Sequence, residues 1–194
     1  MYRIVGHALQ HGHGGAILFS PDGPSDDVRL KYVLRYRALA RAMVERIVES
    51  DHRYRLVPEK PRRSDYVRML ESNTAFENAG EIELASGEQL IAGLTQVDGA
   101  VVVDPYLNVF GFGAEIRSSD EPPVLLSLDG AIVKSETIQR FGMRHRSAMR
   151  FCYAHANSIA IVLSQDGPVR VFANDGISVT YSDNVDVSGL TLRW

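Results

Sequence analysis

Residues 100–181 contain a series of short apolar runs separated by turn residues, and this pattern restricts the fold more than any other feature. Runs of four to eight residues rich in Val, Ile and Phe, bounded by Gly, Pro, Asp or Ser, predict β-strands. The run at 158–163 is almost entirely apolar, which is typical of a buried strand. The predicted strands are residues 100–103, 109–116, 124–128, 131–133, 158–163, 169–173 and 177–181.

The N-terminal segment combines a helical pattern with a strand pattern. Residues 2–10 carry apolar side chains at helical spacing, namely Ile4, Val5, Ala8 and Leu9. Glycines at 12, 14 and 15 interrupt this pattern, and the apolar run at 16–19 predicts another buried strand. A helix, a glycine turn and a strand, followed by many further strands, indicate an α/β fold.

A long basic helix is predicted over Val28–Glu49. One face would carry apolar residues, and arginines and Lys31 would cover much of the remainder. Such a helix either packs on the domain with a solvated charged face or binds a membrane, a nucleic acid or a partner. We favour the packed helix because Trp and Phe anchors are missing from it. The apolar positions are Val33, Tyr36, Ala40, Met43, Val44 and Ile47.

Two further helices are predicted before the first strand of the C-terminal series. Residues 64–76 form one of them. Ser86 and Gln89 fit a capping box, in which the serine caps the helix and the glutamine reaches back to it. The helix after this cap would carry Leu90, Ile91 and Leu94 and would lead into Asp98.

The chain has 194 residues and a net charge of -3, so we expect one domain without a surface that coats nucleic acid. Cys152 is the only cysteine, which excludes an intramolecular disulfide and favours a reducing compartment. No apolar run approaches the roughly 20 residues that span a bilayer, and the start has no signal-peptide pattern. We therefore expect a protein of the cytoplasm without a membrane span.

Arg144, His145 and Arg146 follow Gly142 directly and precede an apolar helical segment that starts at Ser147. They would lie in the first turn of a helix, where the dipole disfavours basic side chains and attracts anions. Arginines suit phosphate oxygens because the guanidinium is a planar fork. Either an anionic ligand offsets the unfavourable interaction of these basic side chains with the helix dipole, or the arginines are solvated surface residues beside a histidine.

Three segments together resemble the diadenylate cyclase (DAC) domain family. They are Asp98-Gly99-Ala100, the stretch from Gly142 to Ala148, and Ser164-Gln165-Asp166-Gly167. That family carries an Asp-Gly-Ala motif, a Gly-Thr-Arg-His-Arg-Ala-Ala motif, and a Ser-Glu-Glu-Thr-Gly turn after an apolar strand. The similarity covers nearly all of residues 97–181 and extends more weakly to residues 8–18.

The resemblance implies a fold and an assembly. We expect a central mixed β-sheet flanked by helices in a single DAC-like nucleotide-binding domain over residues 1–194, with an enlarged helical insertion at about 22–85. Each domain would bind one ATP. Two domains would face each other about a two-fold axis in a homodimer or a higher homo-oligomer, because each ribose hydroxyl must meet the phosphorus of the other ATP. No nucleic-acid partner is expected.

The resemblance also implies a reaction and its residues. A nucleotidyltransferase of this family condenses two ATP molecules into the second messenger cyclic di-AMP and pyrophosphate, with Mg²⁺ or Mn²⁺ as cofactor. Asp98, Gly99 and Asp166 are the implied catalytic residues, and Asp98 and Asp166 are the implied metal ligands. The implied substrate-binding residues are Gly142, Met143, Arg144, His145, Arg146 and Ser164.

The sequence departs from the family pattern at several positions. Met143 stands where the family has Thr, which removes a hydroxyl expected to contact phosphate. Gln165 and Asp166 replace two glutamates, so one charge is lost and the other sits on a shorter side chain. Two functions therefore remain open: an active diadenylate cyclase, or a nucleotide-binding sensor or regulatory module on the same scaffold.

Asp129-Gly130-Ala131 is a second Asp-Gly-Ala sequence. We prefer Asp98 as the functional residue because an apolar helix precedes it and a valine-rich strand follows it, as in the family. Asp129 is better explained as a turn residue in a hairpin between residues 125–128 and 132–133. The residues that would hold the base are expected at Phe110–Gly113 or in the insertion.

Overall fold

The computed structural model describes residues 1–55, 81–165 and 168–185. The strands in these ranges are β1 (Gly15–Phe19), β2 (Val28–Arg29), β3 (Tyr32–Tyr36), β4 (Ala100–Val103), β5 (Val109–Ile116), β6 (Leu125–Ser127), β7 (Ser158–Leu163), β8 (Val169–Asn174) and β9 (Val179–Val185). The helices are α1 (Tyr2–Gln10), α2 (Ala38–Arg55), α3 (described over residues 81–94), α4 (Ser135–Gln139) and α5 (Met143–Ala154).

The strands form one mixed sheet in the order β2-β5-β4-β1-β7-β8-β9-β6, and β3 also pairs with β5. β1 is parallel to β4, and β6 is parallel to β9. The other pairs, among them β1 with β7 and β7 with β8, are antiparallel. The predicted α/β class with a mixed sheet is therefore confirmed.

The central strands β1, β4 and β7 are buried on both faces. Leu18 of β1 and Val102 of β4 pack in one hydrophobic cluster. Their neighbours Ile17 and Val101 pack in a second cluster on the opposite face. Successive side chains of a strand point to opposite faces, so a strand covered on both sides needs a continuous apolar sequence. This explains why the run at 158–163 shows no polar alternation.

Helices cover both faces of the sheet. α5 packs on one face, where complete burial of a side chain such as Phe151 contributes about 1.5–3 kcal/mol. α1, α2 and α3 pack on the other face through Ile4, Leu39 and Ile91. Because α5 contacts β1, β5, β7 and β8, its position relative to the central strands is fixed by the core.

The predicted boundaries of α1, β4, β5 and β7 are confirmed. α5 begins at Met143, so Arg144, His145 and Arg146 lie in its first turn as predicted. β8 and β9 extend beyond their predicted ends, and β9 begins at residue 179 instead of the predicted 177. The predicted strand at 131–133 is reduced to a single bridge between Leu126 and Ile132.

The helix predicted over Val28–Glu49 is wrong in its first part. Residues 28–36 contain the strands β2 and β3, and the helix α2 begins only at Ala38. Val28, Leu30, Leu34 and Tyr36 are at least half-buried, whereas the basic residues between them are exposed. This alternation has the period of a strand, which places the basic side chains on one face of the sheet edge. The predicted insertion is therefore not wholly helical where it is described.

The capping box at Ser86 is also wrong. Ser86 lies inside α3, and its hydroxyl donates a hydrogen bond of 2.7 Å to the carbonyl of Ile82 one turn earlier. This bond to the preceding turn satisfies the hydroxyl without a helix start. The helix predicted over residues 64–76 lies outside the described residues.

None of the described helices is both long enough and apolar enough to cross a membrane.

Candidate functional site

Several polar segments meet at one end of the sheet. β1 and β4 are parallel and begin at this end, and β7 ends there because Leu163 is paired with Gly15. The residues before β4 therefore come close to those after β7. Ala114, near the end of β5, is paired with Ala100 and lies at the same end. The first turn of α5 covers this end of the sheet and completes a concave site.

A pocket of about 670 Å³ occupies this place. This volume lies within the range of about 300–1,000 Å³ typical of small-molecule sites. Polar and glycine residues from each of the three singled-out segments line it, together with a wall of small apolar side chains. The lining residues are Ala16, Leu18, Gly99, Ala100, Ala114, Glu115, Ile116, Gly142, Met143, Arg144, His145, Ser147, Ala148, Val162, Leu163, Ser164 and Gln165.

Gly99 lines the pocket in a backbone conformation that requires glycine. Its φ is +107°, and a Cβ at this residue would lie only 2.5 Å from the carbonyl carbon of Gly113. Only glycine combines this backbone conformation with such a close approach to β5. Asp98 itself is exposed and directly precedes the lining residue Gly99.

The N-terminus of α5 forms the polar side of the pocket. Gly142 is the N-cap residue, no side chain caps the helix, and the first turn contains no acidic residue. The first backbone N–H groups of a helix have no partner within the helix, and the dipole adds positive potential there. Arg144 increases this positive charge, so this side of the pocket is suited to an anion.

The guanidinium of Arg144 extends from α5 across to the start of β1. A Cβ at Gly14 would lie 2.5 Å from Arg144 Nη1 and 3.0 Å from the carbonyl oxygen of Leu163. Glycine at position 14 therefore leaves the space that the guanidinium occupies. Among the described residues, Arg144 forms no salt bridge with a carboxylate.

His145 lines the pocket and belongs to a hydrogen-bonded group that extends to residues outside the lining. Its Nε2 lies 3.0 Å from Arg170 Nη1 and 3.5 Å from the hydroxyl of Ser164. Arg170 Nε in turn donates a hydrogen bond of 2.7 Å to Asp183, and the hydroxyl of Tyr181 donates to the same carboxylate oxygen. These contacts link α5 to β8 and β9.

The protonation of this group follows from its surroundings. Burial, together with the positive charges of Arg170 and Arg144, lowers the pKa of His145 to about 4. Hydrogen bonds from Tyr181 and Arg170 lower the pKa of Asp183 below its usual value. At neutral pH, His145 is therefore an uncharged imidazole between two arginines, and Asp183 is ionised.

Arg146 and Met143 differ from their neighbours in the first turn. Arg146 is not among the residues that line the pocket. Its Nη2 donates a long hydrogen bond of 3.5 Å to the carbonyl of Gln139. Its buried Nε has no hydrogen-bond partner among the described residues. Met143 lines the pocket and is 87% exposed. The pocket therefore has a flexible thioether side chain at position 143.

The predicted metal ligands are only partly described. Asp98 is not a lining residue and directly precedes the lining residue Gly99, and Asp166 lies outside the described residues. In the described ranges, no three His, Cys, Asp or Glu side chains come together closely enough to hold a metal ion. Mg²⁺ often uses only one or two carboxylates and takes its remaining ligands from substrate phosphates and water. Glu115, which lines the pocket, and Asp98, which directly precedes the lining residue Gly99, carry the type of oxygen donor that such coordination uses.

The two Asp-Gly-Ala sequences lie in different surroundings in the structure. The carboxylate of Asp129 accepts hydrogen bonds from the Ser127 hydroxyl and from the backbone N–H of Ala131, which closes a turn after β6. None of these residues lines the pocket, whereas Gly99 and Ala100 do. The prediction that Asp129 is a turn residue is confirmed.

Sequence reasoning missed Glu115, Arg170 and Asp183. The base-binding residues were expected at Phe110–Gly113 or in the insertion, and β5 lines the pocket with the three residues after Gly113, 114–116. Phe112 instead stacks on Tyr32 with ring centroids 4.8 Å apart. The register of β5 against β4 decides which of its residues reach the pocket, and local sequence does not carry that register.

The chain matches no protein-family model, and a search among curated proteins finds no match to it.

Proposed function

We propose that this protein is a diadenylate cyclase of the DAC type, which joins two ATP molecules into cyclic di-AMP and releases pyrophosphate. The observation that carries the proposal is the meeting of three sequence segments in one pocket. Gly99 and Ala100, the start of α5, and Ser164 with Gln165 are far apart in the sequence, yet they line the same cavity.

The triphosphate would bind at the N-terminus of α5. Arg144 and the unpaired N–H groups after Gly142 supply positive potential and hydrogen-bond donors, and phosphate oxygens accept from both. His145 and Ser164 also line the pocket, with the Ser164 hydroxyl 3.5 Å from His145 Nε2. Loss of one such donor in a phosphoryl-transfer site costs roughly 2.7–4 kcal/mol of transition-state stabilisation, by analogy with an oxyanion hole.

The nucleoside would lie against the apolar wall. Small side chains from four strands and from α5 leave a smooth surface, and the cavity of about 670 Å³ is large enough for a nucleotide. Purine rings pack well on such a surface because their faces are apolar. The wall residues are Ala16, Leu18, Ala100, Ala114, Ile116, Ala148 and Val162.

Asp98 and Asp166 would hold Mg²⁺ or Mn²⁺, which, when bound, offsets the negative charge that develops on the phosphoryl group. In each step a ribose 3′-oxygen forms a bond to the α-phosphorus of the other ATP, the bond to pyrophosphate breaks, and the hydroxyl proton leaves. Asp98 would accept this proton. Two such steps need two pockets that face each other, so the active species would be a homodimer.

The direct test is incubation with ATP and Mn²⁺ followed by identification of the product. We expect cyclic di-AMP and pyrophosphate from the wild type. Asp98→Asn should make none, because an amide is a poor metal ligand and a poor base. Asp129→Asn is the matched control and should keep full activity. A wild type without product, or a loss with Asp129→Asn alone, would contradict the proposal.

A second candidate is a nucleotide-binding sensor or regulatory module on the same scaffold. Met143 favours it, because a thioether that is 87% exposed at the pocket replaces a hydroxyl expected to contact phosphate. A sensor would bind ATP tightly without turnover. The same incubation separates the two candidates when it is accompanied by a binding measurement.

A further inference from the structure

Arg170 restricts the protonation of His145 through geometry alone. A guanidinium has five N–H donors and no acceptor, and it stays charged at every relevant pH. Arg170 Nη1 lies 3.0 Å from His145 Nε2, which is hydrogen-bonding distance. Since Arg170 can only donate, Nε2 must accept, and the imidazole must carry its single proton on Nδ1.

Further contacts hold Arg170 and the ring in this arrangement. Asp183 accepts a 2.7 Å hydrogen bond from Arg170 Nε, and the hydroxyl of Tyr181 orients the same carboxylate. The imidazole stacks on Phe141 with a centroid distance of 5.8 Å. The ring therefore has little freedom to flip and exchange its two nitrogens.

The other nitrogen faces the start of the helix. A Cβ built on Gly142 would lie 3.9 Å from His145 Nδ1, so Nδ1 is close to the backbone that begins α5 and lines the pocket. Within the described part of the chain, Nδ1 has no hydrogen-bond partner. The Nδ1–H is thus available to a ligand at the N-terminus of α5.

We infer that Arg170, held by Asp183, is a positioning residue that fixes His145 as the neutral Nδ1–H tautomer, and that His145 donates this proton in a hydrogen bond to a phosphate oxygen of the ligand. The second half rests on the proposed nucleotide site. Arg170 itself is not among the lining residues, so it acts through His145.

The charges around the imidazole agree with a donor role rather than a cationic one. Arg170 on β8 and Arg144 on α5 both disfavour a proton on Nε2, and Asp183 on β9 is already bound to Arg170. A neutral donor can bind phosphate beside Arg144 without adding a third positive charge to the same turn.

The test combines nitrogen-resolved NMR of the histidine rings with calorimetric titration of ATP at pH 7. The variants are Arg170→Met, which keeps the aliphatic length and removes every donor, and Arg150→Met as a matched control. Arg150 lies on α5, the helix that carries His145, and like Arg170 it pairs with a carboxylate, at 2.6 Å from Glu121. It forms no hydrogen bond with His145.

We expect wild-type His145 to be protonated at Nδ1 only and its Nδ1–H signal to shift when ATP is added. Arg170→Met should give a mixture of tautomers and an ATP affinity at least fivefold weaker, whereas Arg150→Met should change neither. The wild-type spectrum decides the tautomer even if Arg170→Met does not fold.

Two results would overturn the inference, and they are distinguishable. If ATP binds but His145 is protonated at Nε2, or if Arg170→Met leaves the tautomer and affinity unchanged, the positioning role is wrong and the nucleotide site stands. If ATP does not bind the wild type at all, the proposed function fails, and the phosphate-donor role fails with it.

Discussion

At the scale of single residues, Gly99 is the clearest structural requirement at the site. Gly99→Ala should lower the free energy of unfolding by about 1 kcal/mol or more, because alanine disfavours a φ of +107° and its Cβ would meet the backbone of Gly113. Urea denaturation measures this loss. Gly6→Ala is the matched control: Gly6 lies in α1 with nothing within 4 Å of its Cβ, so the change should be neutral or stabilising. Equal effects of the two substitutions would contradict the account.

His145 predicts a pH dependence of stability. Its pKa is about 4 in the folded protein against 6.5 as the ordinary value. Between these two pH values the unfolded chain binds a proton at His145 that the folded protein does not bind. The contribution of His145 to the free energy of unfolding is therefore fully present above pH 6.5, and it is lost as the pH falls towards 4. Urea denaturation across this window should show a shallower decline for His145→Gln than for the wild type. Parallel curves would show that His145 does not titrate as described.

The residues of the site were predictable where their chemistry is local. Gly142, Arg144, His145 and Ser164 were singled out from the sequence, and all of them line the pocket. Arg170 was not, because its contact with His145 depends on the pairing of β7 with β8, where Arg170 lies opposite Val162. The residues next to Arg170 in the sequence do not indicate how β8 is aligned with β7. The sequence therefore predicts the pocket-lining residues better than the residues that contact them from outside the pocket.

At the scale of elements, the error over residues 28–36 has a physical cause. Val28, Leu30, Leu34 and Tyr36 alternate with basic residues, which is a period of two, but a helical stripe can also be drawn through Val33, Tyr36 and Ala40. Two periodicities compete in such a segment, and pairing of β3 with β5 decides between them. The short alternation was the signal that could have identified the strands.

The first turn of α5 gives the prediction that separates enzyme from sensor. If the protein is a cyclase, Met143→Thr should raise turnover, because it introduces a hydroxyl at the pocket that can contact phosphate. It should leave stability nearly unchanged because the side chain is 87% exposed. Rates of product formation with ATP and Mn²⁺ measure the effect, and Met43→Thr on α2, another exposed methionine, is the control. If neither the wild type nor Met143→Thr forms product although ATP binds, the sensor is the better account.

At the scale of the whole molecule, the central strands and the two helical layers follow from the sequence, because runs that are apolar throughout require cover on both faces. The order of strands does not follow from it, since β1 lies between β4 and β7, which are distant in the sequence. The site depends on this order, because it brings residues 99, 142–145 and 164 to one end of the sheet.

The need for two facing pockets predicts a dependence on protein concentration. If the protein is a cyclase, specific activity should rise with concentration through the dissociation constant of the dimer, because only the pair aligns hydroxyl and phosphorus. Analytical ultracentrifugation on the same samples gives that constant. Constant specific activity from a monomeric protein would exclude the face-to-face mechanism.

The central claim is that a nucleoside triphosphate binds in the pocket at the N-terminus of α5, and calorimetric titration with ATP tests it most directly. The wild type should bind, and Arg144→Ala should bind at least tenfold more weakly, which is about 1.4 kcal/mol. Arg140→Ala removes the same charge from an exposed residue that does not line the pocket, so its affinity should stay close to that of the wild type. Undetectable binding by the wild type, or equal affinity of Arg144→Ala and Arg140→Ala, would contradict the account.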